Sequence, residues 1–254
     1  RTVNFRVRAS PLFLYLYMAY NGYMQLVMTP ELLIEAYKQG LFPMAYSGKS
    51  TYIHWLCPEE RGQLPIEELH ISKSLKKTVL NNIKRGGPYR ITINKSFERV
   101  MRECAAARED RPETWINEVI IEVYCALHKH GQAHSIEVWE GEQLVGGIYG
   151  VSLGGAFFGE SMFSRKSNTS KIALVHLCAR LWKAGYLIFD TQFVNDHLLQ
   201  FGAYEVSHCD YIENLNAVLK KQTDFMLSGA QGLNEATLVR EYFEMRKKHL
   251  YGEN

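Results

Sequence analysis

The amino-acid sequence predicts an α+β protein, with a small irregular N-terminal domain followed by a larger one whose mostly antiparallel sheet is flanked by helices. Three observations carry this. Residues 29–40, "TPELLIEAYKQG", spell one capped helix and give way to a stretch rich in Pro, Gly and aromatics. From His134 the pattern turns to three strands in succession joined by tight turns. After Ser164 a long helix, a strand and another helix follow, and no repeat or long linker interrupts them.

Each element has a local cause. In the first helix Thr29 caps, Pro30 suits the first turn, Glu31 meets the positive dipole end and Gly40 closes it. "SKSLKKTVLNNI" is amphipathic, "YRITIN" is a strand, and "KSFERVMRECAAAR" is helical from its apolar spacing at 97, 100, 101, 104 and 105. "NEVIIEVYCALHKHG" is a further helix ending at Gly131. "HSIEVWE", "QLVGGIYGVSLGG" and "AFFGESMF" then form an antiparallel meander. "KIALVHLCARLWKAG" is a helix with Gly185 after its last turn, "YLIFDTQF" a strand, and "NDHLLQFGA" a final helix of this unit. The expected division is an N-terminal extension over 1–27, a small domain over 28–70, the main domain over 71–225 and a helical tail over 226–254.

With 254 residues, 46% of them apolar, the chain has ample material for a core. Its five cysteines lie in apolar segments without a C-x-x-C pair, so they read as reduced core thiols in a cytoplasmic setting. "HKHGQAH" brings His128, His130 and His134 close to Glu137, yet no complete zinc ligand set accompanies them, and no metal or other cofactor is expected. The apolar run inside residues 1–27 is too short to span a membrane. That segment reads as an extension upstream of a start near Met28, with a targeting segment as the alternative.

The net charge of +2 hides a local excess: eight Lys or Arg fall between Lys73 and Arg99 against Glu98 alone. This is either a solvated face or a phosphate-binding surface. Glu160, in "GGAFFGESMFS", is a lone carboxylate in a strand that otherwise reads as buried, which requires a pair or a ligand. Strict alternation puts Phe158, Glu160 and Met162 on one face and Phe157 and Phe163 on the other, unless a bulge at Gly159 mixes them. Asp190 and Gln192 in "FDTQF" share a face at the end of an apolar strand, as a structural hydrogen-bonded pair or as a reacting centre. Trp55 and Trp115 sit among polar and turn-forming residues, where a ring is either a core or lid group or a platform for a nucleobase.

These residues together resemble one family, the leucyl/phenylalanyl-tRNA-protein transferases of bacteria. The likeness runs from about Thr29 to Glu213, through "AYKQGLFPM", "HWLCPEERG", "RPETWIN", "LHKHGQAHSIEVWEGEQLVGGIYG", "GGAFFGESMFS", "SKIALVHLCARL" and "DTQFVNDHLLQFGA". "MQLVMTPE" stands where the family has a Gly-rich element ahead of the first helix. The resemblance implies an acetyltransferase-like (GNAT) second domain. It implies transfer of Leu or Phe, and less efficiently Met, from charged tRNA to the α-amine of proteins beginning with Arg or Lys, which marks them for N-degron degradation. It implies that Trp55 and Trp115 hold the terminal adenosine and that Ile148, Phe157, Met162, Leu174, Leu177 and Phe189 line the aminoacyl pocket. Asp190, Gln192 and Glu160 fall at the reacting centre, and Lys73, Lys76, Lys77, Lys84, Arg85 and Arg90 along the tRNA backbone. A monomer without membrane contact is expected.

The chemistry suits these roles. An aminoacyl ester is already activated, so alignment of amine and carbonyl is the main task, and proximity alone supplies several kcal/mol. An α-amine with a pKa of about 8 needs only a weak base. Two other readings fit the same residues: a related transferase with a cell-wall precursor as acceptor, or a non-catalytic tRNA- or degron-binding module.

Overall fold

The computed structural model describes residues 28–50, 52–84, 86–107 and 112–251. The extension over 1–27 and Arg85 lie outside them. The chain opens with helix α1 (Pro30–Lys38), capped by Thr29, whose side chain accepts a hydrogen bond from the Leu32 amide at 3.2 Å. Gly40 follows in the left-handed region, with φ of 75°. Strands β1 (Phe42–Ala45) and β2 (Ile53–Leu56) form a two-stranded ribbon of their own.

All other strands build one seven-stranded sheet. It contains β3 (Glu60–Gln63), β4 (Arg90–Ile93), β5 (Ala133–Glu140), β6 (Gln143–Leu153), β7 (Ala156–Ser164), β8 (Ile188–Gln192) and β9 (Tyr204–Ser207). The order across it is β4-β5-β6-β7-β8-β3-β9, antiparallel throughout except for the parallel pair β7 and β8. The predicted meander is β5-β6-β7. β3 belongs inside this sheet, between β8 and β9, so the range 28–70 expected as a separate domain gives its last strand to the larger one. The cause is the chain's return: β8 and β9 leave a gap that only a strand from elsewhere can pair.

Helices cover both faces. On one lie α1, α3 (Phe97–Ala105), α4 (Glu118–Lys129) and α7 (His208–Val218), which bury Tyr37, Val100, Tyr124 and Tyr211 against the sheet. On the other lie α2 (Lys73–Asn82), α5 (Thr169–Ala184) and α8 (Glu235–Tyr251), with the short α6 (Asp196–Leu199) beside them. α5 is buried along nearly its whole length because the sheet lies on one side of it and α8 on the other. The unit does not end with "NDHLLQFGA": β9 and α7 come after it, and α8 of the tail seats Leu238, Val239, Tyr242 and Phe243 in the core. Among the described residues no helix is long and apolar enough to cross a membrane.

Two particulars aim side chains at one point. The β6/β7 register pairs Tyr149 with Ser161 but Gly150 with Gly159, which leaves Glu160 as the extra residue of a β-bulge. Face parity therefore reverses there. Phe158 and Phe163 enter the same core layer, and Phe157 and Met162 the opposite one, which corrects the grouping that strict alternation gives. The second particular is the β7/β8 pairing, which stops at Phe158 and Asp190, just where the bulge begins.

Candidate active site

Glu160 projects from the bulge into a nest of hydroxyls. Tyr37 of α1 donates to its Oε1 at 2.6 Å, and Tyr124 of α4 to its Oε2 at 3.2 Å. The two phenols are themselves 2.5 Å apart, and Gln192 Nε2 donates to Oε1 at 3.1 Å. Among the described residues no Lys or Arg pairs with this carboxylate. Burial pushes the Glu160 pKa from 4.5 up to about 7, although both phenols work against the rise. Burial and Glu160 itself push both tyrosines well above their usual range, so they stay protonated donors.

Asp190 has the opposite surroundings. Arg61 of β3 reaches it through Nε, 3.0 Å from Oδ1 and 2.9 Å from Oδ2, and both side chains are buried to 1% exposure or less. Tyr211 of α7 donates to Oδ2 at 2.5 Å. The Arg61 guanidinium lies 4.8 Å from each of the Phe42 and Tyr211 rings and donates through Nη1 to the Gly40 carbonyl at 2.8 Å. Burial opposes its charge most strongly, yet Asp190, Tyr211 and Tyr37 together hold Arg61 above its usual range. The remaining bond at Asp190 is to Gln192, whose backbone N–H donates to Oδ1 at 2.7 Å. Gln192 has a φ of 61°, an uncommon conformation for a side-chain-bearing residue, and Asp190 secures it.

Glu160 also lines a cavity of about 240 Å³. Its apolar wall includes Leu64, Ile148, Met162, Leu174, Phe189 and Leu198, and Thr191, Asn195 and His197 stand among its polar groups. Of the expected pocket residues, Phe157 and Leu177 do not reach this lining. They lie in the core layer around it, Phe157 packing edge-on against Phe189 with centroids 5.8 Å apart. Gly159 keeps the cavity wall thin at that point: a Cβ there would meet Phe189 Cε2 at 2.7 Å.

The tryptophans flank β1. Trp55 pairs with Pro43 across the ribbon, and the Trp115 carbonyl accepts from the Ala45 amide at 3.1 Å. Both are half-buried. Lys73, Lys76, Lys77 and Lys84 gather on one groove, whereas Arg90 lies apart on β4, 5.3 Å from the Trp139 ring. In the histidine cluster, His128, His134 and Glu137 have hydrogen-bond partners of their own, and His130 is exposed. His128 donates to the Ala133 carbonyl at 2.7 Å, His134 accepts from Asn94 at 2.9 Å, and Glu137 accepts from Thr92 and Ser135. Cys57, Cys104 and Cys178 are buried, whereas Cys125 is half-buried and Cys209 exposed, so the expectation of five core thiols holds for three of them.

The family model described as leucyl/phenylalanyl-tRNA protein transferase matches residues 63–216, and the model of that enzyme's N-terminal domain matches residues 27–59. A leucyl/phenylalanyl-tRNA-protein transferase of Maricaulis maris is 49% identical over 212 residues, 82% of this chain and 96% of its own. One of Afipia carboxidovorans is 52% identical over 198 residues, 78% of this chain and 85% of its own. The chain belongs to the leucyl/phenylalanyl-tRNA-protein transferase family. Among solved structures, a GCN5-related N-acetyltransferase-like protein of Streptococcus suis covers 76% of this chain and 63% of its own at 13% identity and a TM-score of 0.28, too loose a match to argue from.

Within this transferase, the residues singled out from sequence are only part of the arrangement. Tyr37, Tyr124, Arg61 and Tyr211 were missed. The three tyrosines look like ordinary core residues of apolar helices, and nothing near Arg61 in the chain announces a carboxylate 129 residues away. A faint signal existed for Arg61: a lone cation beside the Gly62 of a short strand.

Proposed function

We propose that this transferase moves leucine or phenylalanine, and less efficiently methionine, from charged tRNA to the α-amine of proteins that begin with Arg or Lys. The observation that carries the reading is the Glu160–Gln192 contact of 3.1 Å beside a half-open cavity that Glu160 lines together with apolar and polar side chains. At about 240 Å³ the cavity is smaller than the roughly 300–1,000 Å³ of sites for drug-sized ligands, which suits one aminoacyl side chain. Side chains not branched at Cβ, such as those of leucine, phenylalanine and methionine, fit such a wall, and β-branched ones are disfavoured by about 1–3 kcal/mol through shape.

In the step proposed, the acceptor nitrogen attacks the ester carbonyl, a C–N bond forms, and the C–O bond to the ribose breaks. The amine proton passes to Glu160, which gives it on to the departing ribose oxygen, so that this oxygen leaves as a hydroxyl and Glu160 is again ionised. A carboxylate whose pKa is about 7 is partly ionised at neutral pH and has a driving force for this transfer close to balance. Its charge also favours a cationic acceptor. Gln192 gives its N–H to Glu160, which leaves its amide oxygen to accept from the amine. Asp190, with Arg61 and Tyr211 already on its oxygens, acts as the group that positions Gln192. Trp55 and Trp115 hold the terminal adenosine, and Lys73, Lys76, Lys77 and Lys84 meet the tRNA backbone. The enzyme works as a cytoplasmic monomer.

The test is transfer of labelled leucine from charged tRNA to a peptide beginning with Arg, beside the same peptide with its α-amine acetylated. Product from the free amine alone is expected. Product from neither, with charged tRNA still bound, overturns the acceptor.

A further inference from the structure

The sheet opens beside Glu160. β7 and β8 pair in parallel only as far as Phe158 and Asp190, and β8 then turns toward β3, where Gln192 meets Gly62. β7 runs on from Gly159 to Ser164, and among the described residues β6 is the only strand paired with that stretch. The cavity of about 240 Å³ lies in the gap, with Ser161 and Met162 of β7 on one bank and Thr191 and Asn195 on the other.

Register decides which backbone groups face the gap. In an antiparallel pair, opposite residues alternate between those that exchange both hydrogen bonds and those whose N–H and C=O point away. The Arg165 amide donates to the Val145 carbonyl at 2.7 Å, continuing the register that pairs Ser164 with Gly146 and Met162 with Ile148. On the other edge of β6 the Ser152 amide donates to the Gln132 carbonyl at 2.8 Å, so Gly146 and Ile148 turn their backbone groups to β5. Both bonds give the same parity: Ser161 and Phe163 bond to β6, and Met162 and Ser164 turn their N–H and C=O to the open edge. Ser164 closes the far end, because its Oγ accepts from the Ser170 amide of α5 at 2.9 Å. Met162 thus offers one donor and one acceptor in the plane of the sheet, while its side chain, perpendicular to that plane, joins the cavity wall.

We propose that the Met162 edge of β7 binds the main chain of the acceptor protein, whose first three residues lie parallel to β7 in the lane that β8 leaves, with the α-amine at Glu160. This rests on the reading of the chain as a transferase to protein α-amines. A chain that starts at Glu160 and leaves through the open side of the cavity has this edge beside it, and main-chain groups bind it without regard to the residues that follow the first. In a parallel pair, one residue brackets its partner: it donates to the carbonyl before that partner and accepts from the amide after it. Glu160 and Met162 are two positions apart, about 7 Å along a strand, which sets acceptor residue 2 near Met162. The Met162 N–H then meets the carbonyl of acceptor residue 1, and the Met162 carbonyl meets the N–H of acceptor residue 3. The N–H of acceptor residue 4 faces away.

The experiment leaves the protein unchanged and alters the acceptor. Short peptides beginning with Arg are made with a single amide replaced by an ester, which removes the N–H of residue 3 in one peptide and of residue 4 in another. Leucine transfer from charged tRNA gives kcat/KM for each, and binding of the same peptides to the full chain gives Kd. The ester at residue 3 should lower kcat/KM about threefold to tenfold and raise Kd to match, the effect of one main-chain hydrogen bond, and the ester at residue 4 should change either by less than about twofold. No loss at residue 3, equal losses at both positions, or a loss at residue 4 alone overturns the proposal. If the unmodified peptide binds but receives no leucine, the transferase reading fails on its own, and the pattern in Kd still decides whether β7 holds the chain.

Discussion

Two carboxylates lie on neighbouring strands, Asp190 fully buried within β8 and Glu160 half-buried at the bulge of β7, and their surroundings differ in kind. Asp190 faces a guanidinium, a phenol and a backbone N–H. Glu160 faces two phenols and an amide, with no cation paired to it among the described residues, and burial outweighs those donors. On the proposed function, the difference separates the group that positions Gln192 from the group that takes up the amine proton. Evolutionary labels are not needed to see it: the partners decide.

The comparison is broken most directly at Glu160. Glu160→Gln keeps the shape and the contact to Gln192 but removes the proton acceptor, so kcat should fall by about 10²–10⁴-fold while charged tRNA still binds. Single-turnover transfer from pre-bound charged tRNA is the measurement, and a rate within a few-fold of wild type would remove Glu160 from the chemistry.

At Asp190 the larger effect is on stability. Arg61→Met leaves a buried carboxylate without its cation and should cost about 3–5 kcal/mol, read from urea denaturation. A loss below about 1 kcal/mol would show that Tyr211 and the Gln192 amide suffice.

The third prediction concerns pH. The folded protein holds the Glu160 proton more tightly than the unfolded chain, so its stability declines as pH rises from about 4.5 through about 7. The interval amounts to at most about 3 kcal/mol. Glu160→Gln lacks this decline, and the variant should be more stable than wild type at pH 8 with the gap closing toward pH 5. Parallel stability profiles for the two proteins would contradict the placement of the shifted group.

Much of the architecture was legible because its causes are local. The Thr29–Pro30–Glu31 start of α1, the glycines after α4 and α5, and the alternation of β5 to β7 are each written within a few residues. Glu160 was visible for a related reason: a charge inside an apolar strand conflicts with its neighbours, and the conflict needs no partner to be noticed. The Asp190/Gln192 grouping was half right. The two do interact, but through the Gln192 backbone, because a φ of 61° turns the strand out of simple alternation.

What the sequence by itself determined, then, is the set of elements, the resemblance to one family and the positions where polar groups sit against their surroundings. Which groups meet was decided by the tertiary structure. Tyr37, Tyr124, Arg61 and Tyr211 come from α1, α4, β3 and α7, and reach their carboxylates only after β3 has entered the sheet and the helices have closed over it. The bulge that turns Glu160 out of register is likewise a property of two strands paired, not of either alone. A side chain's type is set locally, but its pKa, its partners and therefore its task depend on contacts between segments far apart in the chain.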